Sequence, residues 1–291
     1  MTAPLPICYL NGHYLPLAEA RVSPLDRAFL FGDAVYEVLP IYASRPFRLR
    51  EHLDRLNRSL TGIRMSAPLS HADWAQLCQE LISRNSARDA YLYLQVSRGA
   101  EFGRNHAWPE GLKPTLFAYV TSLDPISPSF LEQGVSAVTA TDTRWARRDI
   151  KSTALLANIL LKKLSADAGA FETILIENGE LTEGSSTTVH VVAAGVIRTP
   201  PNGHHILPGT TRDVVAELAA RLGVPSESSR VSEAELRAAD EIWLAFATRG
   251  VLPVTTLDGA PVGAGKPGPL FKRMSTAFAN YTRDLAAAPA L

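Results

Sequence analysis

Apolar positions along the chain change their spacing several times, and each change marks an element. Residues 7–15 (ICYLNGHYL) alternate around Asn11-Gly12, the dipeptide best suited to a tight hairpin, and so predict strand–turn–strand. The stretch 34–49 (AVYEVLPIYASRPFRL) predicts two further strands with a turn near Ser44-Arg45. The period then lengthens. Leu49, Leu53, Leu56, Leu60 and Ile63 recur at helical spacing, which gives a helix over 51–63. A second helix is expected over 71–84, opening near Ser70, and strands follow at 90–97 and 115–121.

Residues 122–130 (SLDPISPSF) hold two prolines and three serines between two periodic regions, which predicts a linker. Beyond it the pattern gives a strand at 134–141, a turn holding Lys151, and a helix from about 152 to 167. That helix has an apolar ridge of Leu156, Leu160 and Leu164 with Ile159 alongside. A β-meander is expected over 172–198, turning at Asn178-Gly179 and Ala194-Gly195. A helix opens after Pro208-Gly209 and ends near Gly223, and a short one at 232–238 carries Ser232 and Glu235 at capping-box spacing. Strands at 241–247 and 251–256 and a helix near 269–285 close the chain. Both halves mix strands and helices with no regular βαβ rhythm, which points to α+β (mixed α/β) architecture in two domains. The expected bounds are 1–121 for a smaller N-terminal domain, 122–130 for the linker and 131–291 for a larger C-terminal domain.

Composition narrows the function. The 291 residues are 46% hydrophobic and 20% charged, with 29 basic and 29 acidic side chains. A formal charge of zero gives no support to nucleic-acid binding. Cys8 and Cys78 are the two cysteines, at no paired spacing, which fits a reducing cytoplasm better than a disulfide. The opening residues lack the basic and long apolar stretches of a signal peptide, and no segment is apolar over the roughly 18 residues of a membrane span.

Some patterns carry no chemistry. Gly263 to Gly268 satisfies G-x-G-x-x-G, but Pro267 and Pro269 break the segment and no βαβ unit can follow it. His204-His205 has no supporting acid or cysteine cluster for a metal, and no G-x-S-x-G elbow supports a serine hydrolase. Three other segments offer more. Lys151 follows Arg144, Arg147 and Arg148 at a strand-to-helix turn, where cationic neighbours favour a neutral, nucleophilic amine, although a surface lysine in a basic loop would look the same. Glu183 precedes a run of hydroxyls (Ser185 to Thr188), able to hold a ring nitrogen or to form an ordinary turn. Gly209-Thr210-Thr211 opens a helix and could bind phosphate, or be a plain cap.

In this order the three segments resemble the signature of the fold-type IV enzymes that use pyridoxal 5'-phosphate (PLP), among them D-amino-acid transaminase, branched-chain aminotransferase and aminodeoxychorismate lyase. Asn11-Gly12, the run from Asp26 to Glu37, and Glu51 to Leu56 are also similar to that family's N-terminal domain, so the likeness covers roughly 7–260. It implies a two-domain enzyme with the cofactor site between the domains. By matching position, Lys151 would hold PLP covalently and move the proton at Cα, and Glu183 would pair with the pyridine nitrogen. Arg55, Thr210 and Thr211 would take the phosphate, Leu207 would pack on the ring, and Ser186 and Thr248 would complete the cofactor set.

Two segments resemble D-amino-acid transaminase in particular. Tyr36 to Tyr42 lacks the F-E-G-[IL]-R form of branched-chain enzymes, and Arg104-Asn105-His106 is similar to an R-x-H motif. There the arginine and histidine, reaching from the partner subunit of a homodimer, bind the substrate α-carboxylate with a tyrosine matching Tyr36, and Tyr93 would line the same pocket. The implied reaction moves an amino group between D-amino acids and 2-oxo acids in the cytoplasm. The alternatives are an L-branched-chain or amine transaminase, a PLP lyase, and a non-catalytic PLP binder, against which Lys151 and Glu183 both stand. One departure is Phe246-Ala247-Thr248-Arg249-Gly250: Ala247 replaces an expected phosphate hydroxyl, and Arg249 is left facing either the pocket or the phosphate.

Overall fold

The computed structural model of the chain describes residues 3–124 and 126–287. Met1 and Thr2 of the expected first domain, Pro125 of the linker and 288–291 of the second domain lie outside the described residues. Two compact units emerge, Met1–Asp124 with Ile150–Leu155, and Pro125–Asp149 with Leu156–Leu291.

The first unit is a six-stranded antiparallel sheet with its two long helices packed on one face. Its strands are β1 (Pro4–Leu10), β2 (His13–Pro16), β3 (Ala34–Tyr42), β4 (Arg45–Pro46), β5 (Ala90–Ser97) and β6 (Thr115–Ser122), in the order β2-β1-β6-β5-β3-β4. Asn11 and Gly12 both take positive φ, 48° and 95°, as the two-residue hairpin requires. The helices are α1 (Arg27–Phe31), which periodicity did not reveal, α2 (Leu49–Gly62) and α3 (His71–Arg84). Ser70 and Asp73 form a full capping box at the start of α3. Alternation puts Val35, Leu39, Leu92 and Leu94 on the helix side of the sheet, where they meet Leu53, Leu56, Leu60, Trp74 and Leu81, all at most 2% exposed. Each such aliphatic side chain stabilises the unit by about 1.5–3 kcal/mol.

The second unit begins with a short helix, α4 (Pro128–Glu132), so the segment read as linker is helical over its last residues and just beyond. Next come β7 (Val135–Thr141), α5 (Leu156–Asp167), β8 (Glu172–Glu177), β9 (Glu180–Gly184), β10 (Thr188–Ala193), β11 (Val196–Thr199) and α6 (Thr210–Arg221). The unit ends with β12 (Ser226–Ser228), α7 (Glu233–Arg237), β13 (Glu241–Phe246), β14 (Gly250–Leu257), β15 (Ala260–Pro261) and α8 (Pro269–Ala287). The sheet order is β12-β11-β10-β13-β14-β7-β8-β9, with β15 on β14. This corrects the expected meander: β8-β9 and β10-β11 are separate hairpins with β13, β14 and β7 between them in the sheet. Local turn signals identified each hairpin but carried nothing about the long-range insertion.

Two other expectations change. The helix placed at 152–167 starts at Leu156, because Lys151 to Thr153 lies extended beside β3. Its ridge of Leu156, Ile159, Leu160 and Leu164 faces outward, 49–70% exposed. Cys8 and Cys78 are free thiols, both buried.

Candidate active site

In the first unit the start of β3, on the side that β4 pairs only at Ile41 and Tyr42, receives the lysine segment. Tyr36 N–H donates to Lys151 O and Thr153 N–H to Ala34 O, each at 3.0 Å, and Val35 pairs with Ser152 in antiparallel register. Side chains alternate across such a pair, so Ile150 joins the core while Lys151 shares the opposite face with Tyr36. Lys151 Nζ sits 4.4 Å from the centre of the Tyr36 ring. Tyr36 stacks on Tyr93 at 5.6 Å, and Tyr93 packs on Tyr119 at 5.2 Å. The structure thus gathers three expected residues, Lys151, Tyr36 and Tyr93, on one aromatic face. Burial lifts the Tyr93 phenol above its ordinary range, and its hydroxyl donates to Gln95 Oε1 at 2.7 Å.

The arginines that precede the lysine in sequence have partners of their own. Arg144, Arg147 and Arg148 belong to the second unit and pair there with carboxylates: Arg144 with Asp142 and Glu183, Arg147 with Asp149, and Arg148 with Glu177.

Arg55, on α2, is 4% exposed. Its Nε and NH2 donate to the two oxygens of Glu37 at 2.7 and 2.8 Å, and His52 Nδ1 lies 2.8 Å from the same carboxylate. Glu37 is wholly buried. Burial opposes its charge, but the Arg55 guanidinium and the His52 contact outweigh that and hold the carboxyl well below the usual range. Burial pushes the His52 imidazole down, towards its neutral form. Sequence reasoning gave Glu37 and His52 no role, although alternation already placed Glu37 on the core face with Val35 and Leu39.

Arg104 and His106 lie exposed on the loop between β5 and β6. Both gather on Phe31 of α1: the Arg104 guanidinium is 5.1 Å and the His106 ring 5.5 Å from the Phe31 ring.

In the second unit Glu183 is buried and its carboxylate has two partners, Arg144 NH1 at 2.6 Å and the N–H of Leu207 at 3.2 Å. Burial pushes its carboxyl up, with Arg144 working against the shift. Arg144 is itself fixed by Asp142, which also accepts from the Thr182 hydroxyl at 2.7 Å. Sequence reasoning missed this Asp142–Arg144–Glu183 relay, whose one signal was an acid and a base two residues apart. Ser186 is exposed and donates to the buried Glu172 at 3.0 Å. Thr210 and Thr211 are buried in the first turn of α6, behind the N-cap Gly209. A Cβ on Gly209 would lie 2.6 Å from Thr188 Oγ1, so glycine makes room for the Thr188 hydroxyl beside that helix start. Thr248 is half-buried in the turn between β13 and β14, and Arg249 faces the Phe171 ring at 6.0 Å. The two histidines point apart, His204 to Asp149 and His205 to Glu177.

Each unit by itself holds groups that suit part of PLP. The first unit supplies a primary amine on an aromatic face and a buried arginine. The second supplies a buried carboxylate anchored by Arg144 and a twelve-residue helix whose N-cap brings no side chain to its first N–H groups. A carboxylate suits a protonated ring nitrogen, and a helix start without a side-chain cap suits a phosphate.

Comparison with known proteins agrees. The family model described as amino-transferase class IV matches residues 34–257. The D-alanine aminotransferase of Bacillus licheniformis is 43% identical over 272 residues, which cover 93% of this chain and 95% of that protein. The one from Staphylococcus aureus (strain MSSA476) is 36% identical over 94% and 96% of the two chains. Among solved structures, the branched-chain amino acid aminotransferase of Escherichia coli has a TM-score of 0.88 at 27% identity, covering 95% of this chain and 94% of that one. A second branched-chain amino acid aminotransferase, the T.th. enzyme with pyridoxamine 5'-phosphate, has a TM-score of 0.88 at 26% identity, covering 96% and 94%. The chain belongs to the class IV aminotransferases, PLP-dependent enzymes of fold type IV.

Proposed function

We propose that this protein transfers amino groups between D-amino acids and 2-oxo acids, with D-alanine among its donors. The observation that carries the reading is its 43% identity to a D-alanine aminotransferase over nearly its whole length. The alternative of an L-branched-chain substrate draws on solved structures at 26–27% identity.

Bound PLP supplies the electron sink that makes a substrate Cα–H bond labile. The chain's residues do the rest. Lys151 Nζ takes and returns the proton at Cα, and the Tyr36 face holds the amine in place. Glu183 faces the ring nitrogen, its carboxylate oriented by Arg144 and the Leu207 N–H. Leu207 packs on the ring. Arg55, Thr210 and Thr211 take the phosphate, Glu37 fixing the arginine, while Ser186 and Thr248 complete the cofactor contacts. Arg104 and His106 clamp the substrate α-carboxylate, with Tyr36 and Tyr93 lining its pocket. Where that carboxylate is gripped relative to Lys151 decides which hand of substrate turns its Cα–H bond towards the amine.

The active form is a homodimer in which the Arg104–His106 loop serves the opposite protomer. The exposed ridge of α5, four large aliphatic side chains on one helix face, supports a subunit contact. The two free, buried thiols support a cytoplasmic setting. Initial rates on a panel of D- and L-amino acids, with pyruvate or 2-oxoglutarate as acceptor, test the reading. D-alanine and D-glutamate should outpace L-leucine and L-valine, and the reverse order would refute it.

A further inference from the structure

The loop from Arg98 to Pro114 carries the carboxylate clamp at exposed positions, yet its backbone is tied down from below. Asp26, 1% exposed, accepts from Ser97 Oγ at 2.9 Å and from Thr115 Oγ1 at 2.7 Å, so one carboxylate joins the two ends of the loop. Arg27 N–H donates to Gly99 O at 2.9 Å. Gly99 takes φ +103°, and a Cβ there would lie 2.0 Å from Lys113 O, so the loop's entrance and exit are pressed together.

The next side chain reaches the clamp itself. Arg27 is 3% exposed and stands 78 residues before Asn105 in sequence, but its NH1 donates to Asn105 O at 2.7 Å and its NH2 to His106 O at 3.1 Å. Asp33 takes its Nε at 2.8 Å, and Glu101, in the loop, takes its NH1 as well. The guanidinium lies 4.7 Å from the Phe31 ring, the ring on which Arg104 and His106 also rest. A planar fork with fixed donors suits two successive carbonyls in a way an ammonium cannot.

We propose that Arg27 is the positioning residue of the carboxylate clamp: it sets the backbone of Asn105 and His106, and with Phe31 it fixes where Arg104 and His106 meet the substrate. This rests on the reading of Arg104 and His106 as the clamp. The role requires no substrate contact by Arg27 itself.

The test compares kcat/KM for D-alanine in four enzymes: wild type, Arg27→Lys, Arg104→Ala with His106→Ala, and the triple variant. Arg27→Lys keeps the charge facing Asp33 and Glu101 but loses the fork, and should lower kcat/KM about tenfold through KM, with kcat at saturation and the PLP absorption band retained. In the clampless background the same substitution should change nothing further, because the element it positions is gone. Phe31→Leu should reproduce the KM effect, and it keeps the test open if the lysine variant fails to fold. An unchanged KM in both the Arg27 and the Phe31 variant overturns the proposal. So does an equal loss in both backgrounds, which marks a general structural role. If removing Arg104 and His106 leaves KM unchanged, the clamp reading itself fails, and Arg27 has no clamp to position.

Discussion

Glu37 offers the sharpest test of how the first unit holds its arginine. Replacing it with glutamine keeps the shape and one carbonyl acceptor but removes the charge facing Arg55. The guanidinium, 4% exposed, would then lie buried without that counter-charge. Breaking a buried pair from one side typically costs about 3–5 kcal/mol, and the retained acceptor puts the expectation near the lower end, about 3 kcal/mol. The site is wholly buried, so solvent screening does not reduce the figure. A loss of that size is a large share of a stability of about 5–15 kcal/mol. It should lower the melting temperature by roughly 6–12 °C. The sign with pH follows from the depressed carboxyl. Its contribution is complete above the unfolded value of 4.5 and is lost as pH falls through the lower folded value. Wild type should therefore lose stability below pH 4.5 more steeply than Glu37→Gln. Thermal unfolding with PLP absent measures the first effect, and equilibrium dialysis of PLP measures whether Arg55 has shifted. A melting temperature within about 2 °C of wild type would refute the counter-charge argument.

Four other outcomes are expected. Lys151→Ala should lose the visible absorption band of the bound cofactor and several orders of magnitude of turnover, and a fully active variant would sink the assignment. Glu183→Gln should keep PLP but lose on the order of tenfold in kcat, since ~1.4 kcal/mol of barrier is tenfold in rate; unchanged turnover at saturating substrate counts against its role. Buried His190, with Nδ1 on the Thr199 hydroxyl and Arg212 nearby, is pushed down to about 3 by burial first and by that charge second. The unfolded imidazole takes a proton below 6.5 and the folded one does not until about 3, so stability falls as pH drops across that interval. Two pH units correspond to about 2.7 kcal/mol, and His190→Gln should flatten that limb in urea titrations between about pH 6.5 and 4.5; an equal slope refutes it. Leu160→Lys, on the exposed ridge, should shift sedimentation towards monomer, whereas an intact dimer would place the subunit contact elsewhere.

Most of the architecture is legible in the local pattern because its causes are local. Asn11-Gly12 turns at positive φ, Ser70 and Asp73 cap a helix, and the leucines of α2, spaced three and four residues apart, face the core. What the pattern could not show depends on partners distant in the chain. The run from 172 to 198 contains two clear hairpins, but nothing in it reveals that β13, β14 and β7 enter between them. The ridge of α5 has the spacing of a core helix, and periodicity does not say which surface covers it. The lysine was legible through resemblance rather than through its charged neighbours, which turned out to serve other carboxylates. Glu37 was within reach of physical reasoning: a carboxylate on the core face of a strand needs a cation, and His52 and Arg55 stand one helical turn apart opposite it. The partners of Glu183 and the reach of Arg27 to residues 105 and 106 were not, because no short-range signal links those positions.

The brief return of Ile150–Leu155 to the first unit has a consequence for the order in which the protein can be made. A ribosome that has released residue 124 has delivered every long element of that sheet, yet the start of β3 still waits for Tyr36 N–H and Ala34 O to be met. The apolar side chain that finishes the core on that flank, Ile150, is also missing. The first unit therefore closes after synthesis of the second has begun. A nascent chain halted at Asp124 would expose an unpaired strand edge, a surface prone to pairing with other chains. The short segment that closes it includes the lysine, so completion of the fold and arrival of the reactive amine are one event.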